Sequence, residues 1–288
     1  MARRSCAFGG GRVVCRRASD AKPPRVVALC RLLLLAALPA QAQAGALLWP
    51  EGQGQVIVTT TFADAKVAFD SSGRRIAAPP YDKFEIQAYA EYGLTDSLTV
   101  TAEAGGVDFS QSPQSSFDSL AYPSHYRGAG ISAVGARVPL GEFLGAFISF
   151  EAGLRGAPHG AQPYLDIESV VQADVRLQLF RGFEISGLPA FLDAQLALRA
   201  RGQFGDEARA DLTFGVRPCG ELMFLAQSFS VVSPWPSSGG AVYAQKFELS
   251  AVYSVTPRLS LQLGFIDAPV GWNSPAERGV ATAVWWRF

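Results

Sequence analysis

The ten residues from Gly279 to Phe288 restrict the fold more than any other stretch. Read at period two, Val280, Thr282, Val284, Trp286 and Phe288 fall on one side and Ala281, Ala283, Trp285 and Arg287 on the other, which is the pattern of a strand and not of a helix. A strand with so apolar a face must pair with a neighbour or aggregate. The remaining chain therefore has to supply β partners, and segments that alternate in the same way recur from Gln55 onward.

The segments are read as Gln55 to Phe62, Phe84 to Tyr92, Ser97 to Gly105, Gly128 to Val138, Phe143 to Leu154, Ile167 to Leu179, Phe191 to Arg201, Glu207 to Arg217, Glu221 to Val232, Tyr243 to Val255, Arg258 to Ile266 and the terminal strand. Short turns are expected at Gly93 to Asp96, Pro139 to Glu142, Pro218 to Gly220 and Thr256-Pro257, and a longer one at Arg181 to Pro189. Polar or aromatic connections are expected at Ala63 to Pro80, Gly106 to Tyr126, Arg155 to Tyr164, Ser233 to Gly240 and Asp267 to Arg278. That makes about twelve strands of ~10 residues, the length that crosses a bilayer when tilted, with short turns at one end and long loops at the other. The expected fold class is all-β: a closed, antiparallel, up-and-down transmembrane barrel. A soluble β-sandwich would also bury one face of each strand and is the competing reading.

The terminal strand, with Val284, Trp286 and Phe288 on one face, resembles the closing strand of bacterial outer-membrane β-barrels, in which a final Phe after alternating apolar residues is the signal read by the barrel-assembly machinery. The resemblance implies that machinery and outer-membrane lipid as partners, and both termini on the periplasmic side. The stretch from Leu47 to Thr61, followed by Tyr89 to Leu98, is also similar to outer-membrane proteins grouped with aromatic-degradation pathways. Tyr92, Tyr253, Trp285 and Trp286 lie near strand ends where amphipathic rings suit the headgroup region, although parity turns Trp285 inward.

The amino-terminal part agrees with export. Arg25 and Arg31 precede or flank the apolar run Leu32 to Leu38, followed by Pro39 and the small residues Ala40 to Ala44, which reads as a signal peptide cleaved ahead of Gly45. Residues 1–44 are expected to be a leader, with residues 1–24 as a possible mis-assigned start, and residues 45–288 the barrel. Cys6, Cys15 and Cys30 fall in the leader and leave Cys219, so neither an intramolecular disulfide nor a cysteine metal site is expected. The mature part has 17 basic and 24 acidic residues, which disfavours nucleic acid as a partner. No glycine-rich phosphate loop stands between a strand and a helix, and no cofactor is expected.

If the apolar faces meet lipid, the opposite faces line a charged interior. The candidates are Glu85, Glu91, Glu103, Glu151, Glu168, Asp174, Arg176, Asp193, Arg199, Arg201, Arg209, Asp211, Arg217, Lys246 and Glu248. Centring the seventh hairpin on Phe204 sets Arg201 opposite Glu207 and Arg199 opposite Arg209, an arrangement that needs a carboxylate such as Asp211 or a bound anion. Arg176 is expected to face Asp193. These charges either pair with one another and fill a narrow barrel, or form a constriction that orients a small polar or anionic solute. A closed interaction barrel using Trp235 and Trp272 is the alternative to a channel. Catalysis has little basis: the two histidines, His125 and His159, fall in expected loops, and the adjacent Ser124 and His125 lack a third group and an oxyanion donor.

Overall fold

The computed structural model describes residues 45–112, 125–156, 158, 171–201, 206–234 and 240–288. Its strands are β1 (Gly54–Phe69), β2 (Arg75–Thr95), β3 (Leu98–Gln111), β4 (His125–Phe143), β5 (Ala146–Gly156), β6 (Gln172–Ile185), β7 (Leu188–Ala200), β8 (Glu207–Val216), β9 (Leu222–Ser233), β10 (Val242–Ser254), β11 (Leu259–Trp272), the two-residue β12 (Ser274–Pro275) and β13 (Arg278–Arg287). Each pairs antiparallel with its neighbours, and β1 pairs with both β2 and β13. The ring closes from Gln55↔Arg287 to Asp64↔Arg278, so twelve strands form a barrel and β12 adds a short pairing beside β1. Closure leaves the terminal strand no free edge.

The side-chain distribution rules out the sandwich. Val134, Leu154, Leu196, Leu198, Leu249 and Leu263 are all more than half exposed, while Glu91, Thr99, Arg137, Gln178, Asp193 and Arg199 are buried. A sandwich buries its apolar faces between two sheets; here one closed sheet turns them outward and its polar faces inward. Leaving such leucines in water forgoes ~1.5–3 kcal/mol each, so this surface is built for hydrocarbon.

Two hairpins turn later than their sequence suggested. The β4–β5 turn is Leu144-Gly145 and the β6–β7 turn is Ser186-Gly187, with positive φ at all four residues. Such two-residue turns match the right-handed twist of the flanking strands, which is why Leu144-Gly145 wins over Pro139 to Glu142 and why the turn expected over Arg181 to Pro189 tightens to two of its residues. Pro139 to Gly141 instead forms a register shift inside β4.

Most corrections at the other end are of one kind: the strands run on beyond their expected ends. The polar stretch from Ala63 to Pro80 is largely strand, turning between Phe69 and Arg75. Within that turn the Asp70 carboxylate accepts from Ser72 N, Ser72 Oγ and Arg74 N at 2.7–2.9 Å. Those hydrogen bonds hold its pKa well below the usual carboxylate range. Likewise β3 continues to Gln111, β4 starts at His125, and β11 runs through Asp267 to Trp272.

Candidate functional site: the barrel lumen

The interior is built on parity. Odd-numbered residues of β2, β3, β5, β7 and β8 and even-numbered residues of β6 point inward, and β10 presents even-numbered residues inward after its register shift between Gln245 and Phe247. All the expected lumen residues on these strands are inward. Glu168 lies outside the described residues, as do His159 and Trp235.

What sequence reasoning missed is the segment ahead of β1. Residues 45–53 do not continue the wall; they cross the lumen at the short-turn end. Gly52 N donates to Gly93 O and Gly93 N to Gln53 O, both at 2.9 Å, anchoring this strap at the mouth. Trp49 N then donates to Thr99 Oγ1 at 3.0 Å and its indole Nε1 to Glu91 Oε2 at 3.0 Å. Leu47 O accepts from Arg137 Nη1 at 3.2 Å, and Ala46 N reaches Asp193 Oδ2 at 3.2 Å. The strap therefore starts at the β2–β3 wall and ends against β7. Gly93 permits this, because a Cβ there would lie 2.2 Å from Pro50 O. Elsewhere in the interior, Met223, Leu225 and Val252 form an apolar cluster with Phe191 and Trp285 packed against it.

Arg137, also absent from the expectations, is the hub of this layer. It is 1% exposed. Nε and Nη2 donate to Glu151 Oε2 at 2.9 and 2.7 Å, and Nη2 lies 2.8 Å from Glu91 Oε1 and 3.2 Å from Tyr89 Oη. Gln178 Nε2 adds a donor to Glu151 at 3.1 Å. Arg137 falls directly opposite Glu151 only through the register shift between Pro139 and Gly141; counted back from the Leu144-Gly145 turn alone it would face Ala152, which is why the pairing could not be read from the turn.

Beyond the strap, β5 to β8 carry an arginine wall. Arg199 meets Glu207 at 2.7 Å and Asp174 at 3.2 Å, Arg201 meets Glu207 at 2.8 Å, and Arg176 meets Asp211 at 3.4 Å. Arg209 lies 3.5 Å from Glu207, and Arg155, also missed, 3.5 Å from Glu103. Two expected pairings are corrected. Arg199 faces Glu207 and Arg209 faces Ala197, because the β7–β8 pairing is shifted by two residues from the expected register. Among the described residues of this hairpin, no two arginines stand face to face. Arg176 faces Ala197 and Asp193 faces Phe180, because the β6–β7 turn lies later than expected. Asp174 and not Arg176 thus has the cross-strand arginine partner, Arg199.

The opposite wall carries lysines. Glu277, between β12 and β13, turns into the lumen and meets Lys83 Nζ at 2.9 Å, Lys246 Nζ at 2.5 Å and Tyr81 Oη at 2.8 Å. Burial alone pushes the Glu277 carboxyl up, but the two ammonium groups outweigh it and hold its pKa well below the usual range. Glu85 stands 3.4 Å from Lys83. Glu248 accepts from Gln262 Nε2 at 3.0 Å. Arg217 stays at the short-turn rim, donating to Gly220 O at 3.0 Å.

Between the strap layer and the arginine wall lies a cavity of about 60 Å³, lined on its polar side by Tyr89, Thr101, Glu103, Arg155, Asp174 and Arg176. That is room for a few waters. On the outer surface, Tyr92, Tyr253 and Trp286 are exposed near the short-turn end and Phe288 stacks on Tyr92, whereas Trp285 points inward and donates Nε1 to Gln262 at 2.9 Å. His125 opens β4 at the far end, exposed and 3.7 Å from Asp108, a carboxylate it shares with Arg127.

No protein-family model and no curated protein matches the chain. Among solved structures it is similar to an outer membrane channel from Pseudomonas putida F1, with 14% identity, a TM-score of 0.63, and coverage of 86% of this chain and 100% of that one. It is also similar to the NanC porin, with 8% identity, a TM-score of 0.52, and coverage of 81% and 100%. At such identities the likeness is one of architecture. With its closed twelve-strand ladder, outward apolar faces and charged interior, the chain has the fold of the bacterial outer-membrane β-barrels.

Proposed function

We propose that the protein is a passive outer-membrane channel for small polar or anionic solutes, with the strap as a constriction at its short-turn mouth. The observation that carries this reading is the set of unused guanidinium donors in the lumen. Arg155 Nε, Arg199 Nη2 and Arg209 Nε are buried without a hydrogen-bond partner. Among the described residues, the same wall brings five arginines (155, 176, 199, 201, 209) to four carboxylates (Glu103, Asp174, Glu207, Asp211). Such donors suit the oxygens of a passing anion. The similar architectures of the Pseudomonas putida F1 outer membrane channel and the NanC porin support a channel.

The test is single-channel conductance of the refolded 45–288 barrel in a planar bilayer, beside Arg199→Ala/Arg209→Ala and Trp49→Ala. The expected result is steady conductance with an anion preference that falls in the arginine variant, and a larger conductance in Trp49→Ala. A heat-modifiable barrel that conducts in none of the three forms supports the alternative, a closed interaction barrel, which the strap and the dense ion pairing favour. We read the chain as a channel and not as an enzyme; loss of lipid turnover in His125→Ala would reverse that reading.

A further inference from the structure

The charge balance of the strap layer is uneven. Arg137 is the one cation that meets Glu91 and Glu151 there, and Asp193 on the neighbouring wall has none within salt-bridge distance among the described residues. Asp193 is 2% exposed, and among the described residues its carboxylate accepts from Ala46 N at 3.2 Å and Gln195 Nε2 at 2.7 Å. Among the described residues this layer thus holds three carboxylates, of which Glu91 and Asp193 are buried, and one guanidinium. A buried carboxylate held by neutral donors alone is unfavourable unless a cation is close.

The cation's place is marked from two independent directions. Ala46 is fully buried against Asp193, and Gly45, one residue earlier, is packed so closely that a Cβ would lie 2.5 Å from Gln195 Nε2 and 3.8 Å from Gln178 Oε1. The sequence, for its part, sets the leader's cleavage between Ala44 and Gly45. We propose that the lumen contains a binding site for the chain's own amino terminus: cleavage ahead of Gly45 frees an α-ammonium group that takes its place among Asp193, Gln195 and Gln178 and locks the strap across the mouth. Before cleavage the same nitrogen is a neutral amide, so the strap layer acquires its second positive charge only in the processed protein. Leader removal then completes the interior of the barrel. The carbonyl oxygen of Gln178, which accepts from Ser149 Oγ at 3.3 Å, has a second lone pair for the ammonium, whereas Gln195 turns its Nε2 to Asp193 and its Oε1 to Arg176 and serves to hold the carboxylate in place. This inference rests on the signal-peptide reading and stands apart from the channel reading.

The test has two parts. The intact mass of the protein purified from outer membranes should correspond to a chain beginning at Gly45. The folded barrel is then treated with an amine-acylating reagent over pH 6 to 10, and acylation of the N-terminal peptide is followed for three chains: the native one, Asp193→Asn, and one carrying two extra residues, Ser-Gly, ahead of Gly45. A heat-shift gel verifies that each is folded. The native amine should react about tenfold more slowly at pH 7 than the extended one, with its pH midpoint above the ~7.7–8.0 of a free α-amino group. Asp193→Asn should return the midpoint to that range. A mature terminus elsewhere, or equal midpoints in the native and Asp193→Asn barrels, overturns the proposal. The extended chain keeps every lumen residue, so fast acylation there with a displaced strap isolates the position of the charge. A shifted midpoint in a barrel that never conducts leaves this inference standing and removes the channel.

Discussion

Replacing Arg137 gives the sharpest test of how the interior is held together. The guanidinium joins Glu91 and Glu151 at 2.8 and 2.7 Å, and its Nη1 reaches the strap at Leu47 O. Arg137→Met removes the positive charge while keeping most of the side chain's volume, so it leaves two carboxylates in a layer where the arginine itself is 1% exposed. Breaking a buried pair by deleting one partner costs about 3–5 kcal/mol. With two orphaned carboxylates and a lost bond to the strap, the upper end of that range is expected. The control is Glu91→Gln/Arg137→Met/Glu151→Gln, which removes the charges together and should lie within ~1 kcal/mol of the native barrel, because uniformly neutral replacements of a buried ion cluster are often tolerated. The assay is reversible urea unfolding in lipid vesicles followed by tryptophan fluorescence. Trp49, whose indole is tied to Glu91, should report a wetter environment in the single variant before global unfolding. A single variant that loses under about 1 kcal/mol, or a triple variant as unstable as the single one, would refute the view that paired charge organises the strap layer.

Other perturbations separate the two faces and the two ends. Leu263 is 61% exposed and central on the outer face of β11, so Leu263→Arg should cost about 2–4 kcal/mol in vesicles, whereas Gln262→Arg, one residue away and inward, should cost far less; equal losses by urea titration would contradict the inside-out arrangement. Phe288 exchanges backbone hydrogen bonds with Gly54 and stacks on Tyr92. Phe288→Ala should therefore lose ~0.5–1.5 kcal/mol in refolded barrels while reducing the amount assembled in cells much more strongly, as compared by urea titration and by heat-shift gels of membranes. Glu277 has a folded pKa depressed below its unfolded value of ~4.3, so its stabilisation is present above that pH and is lost as pH falls below it. Unfolding midpoints measured between pH 3 and 6 should drop on acidification in the native barrel and lose part of that slope in Glu277→Gln.

The outline of the barrel was legible because its signals are local. Alternation along Phe84 to Tyr92 or Tyr243 to Val255 needs only a face of lipid to explain it, and each inward residue follows from its own strand's parity. Facing partners were less legible because they depend on where each turn falls. Placing the β6–β7 turn at Ser186-Gly187 leaves every side chain on its expected face yet gives Arg199 to Asp174 in place of Arg176 to Asp193. Parity survives an even shift in register; pairing does not. The dipeptides Leu144-Gly145 and Ser186-Gly187 were the available cue, since a glycine in the second position lets both central residues take positive φ.

The strap was illegible for a different reason, and it is the part that bears most on function. Residues 45–53 carry no period, because a segment that crosses a lumen touches a new wall at every step: Gly93, Thr99, Glu91, Arg137 and Asp193 in turn. Apart from the paired backbone bonds with Gly93, the contacts are isolated hydrogen bonds and not a ladder, and net contributions of ~0.5–1.5 kcal/mol per bond make such a segment easier to displace than any strand of the wall. Side-chain pairing among fixed strands makes the barrel rigid, whereas the strap is seated by a short series of bonds that end on a carboxylate awaiting a cation. A change at Asp193 should therefore act on the mouth while leaving the ladder intact.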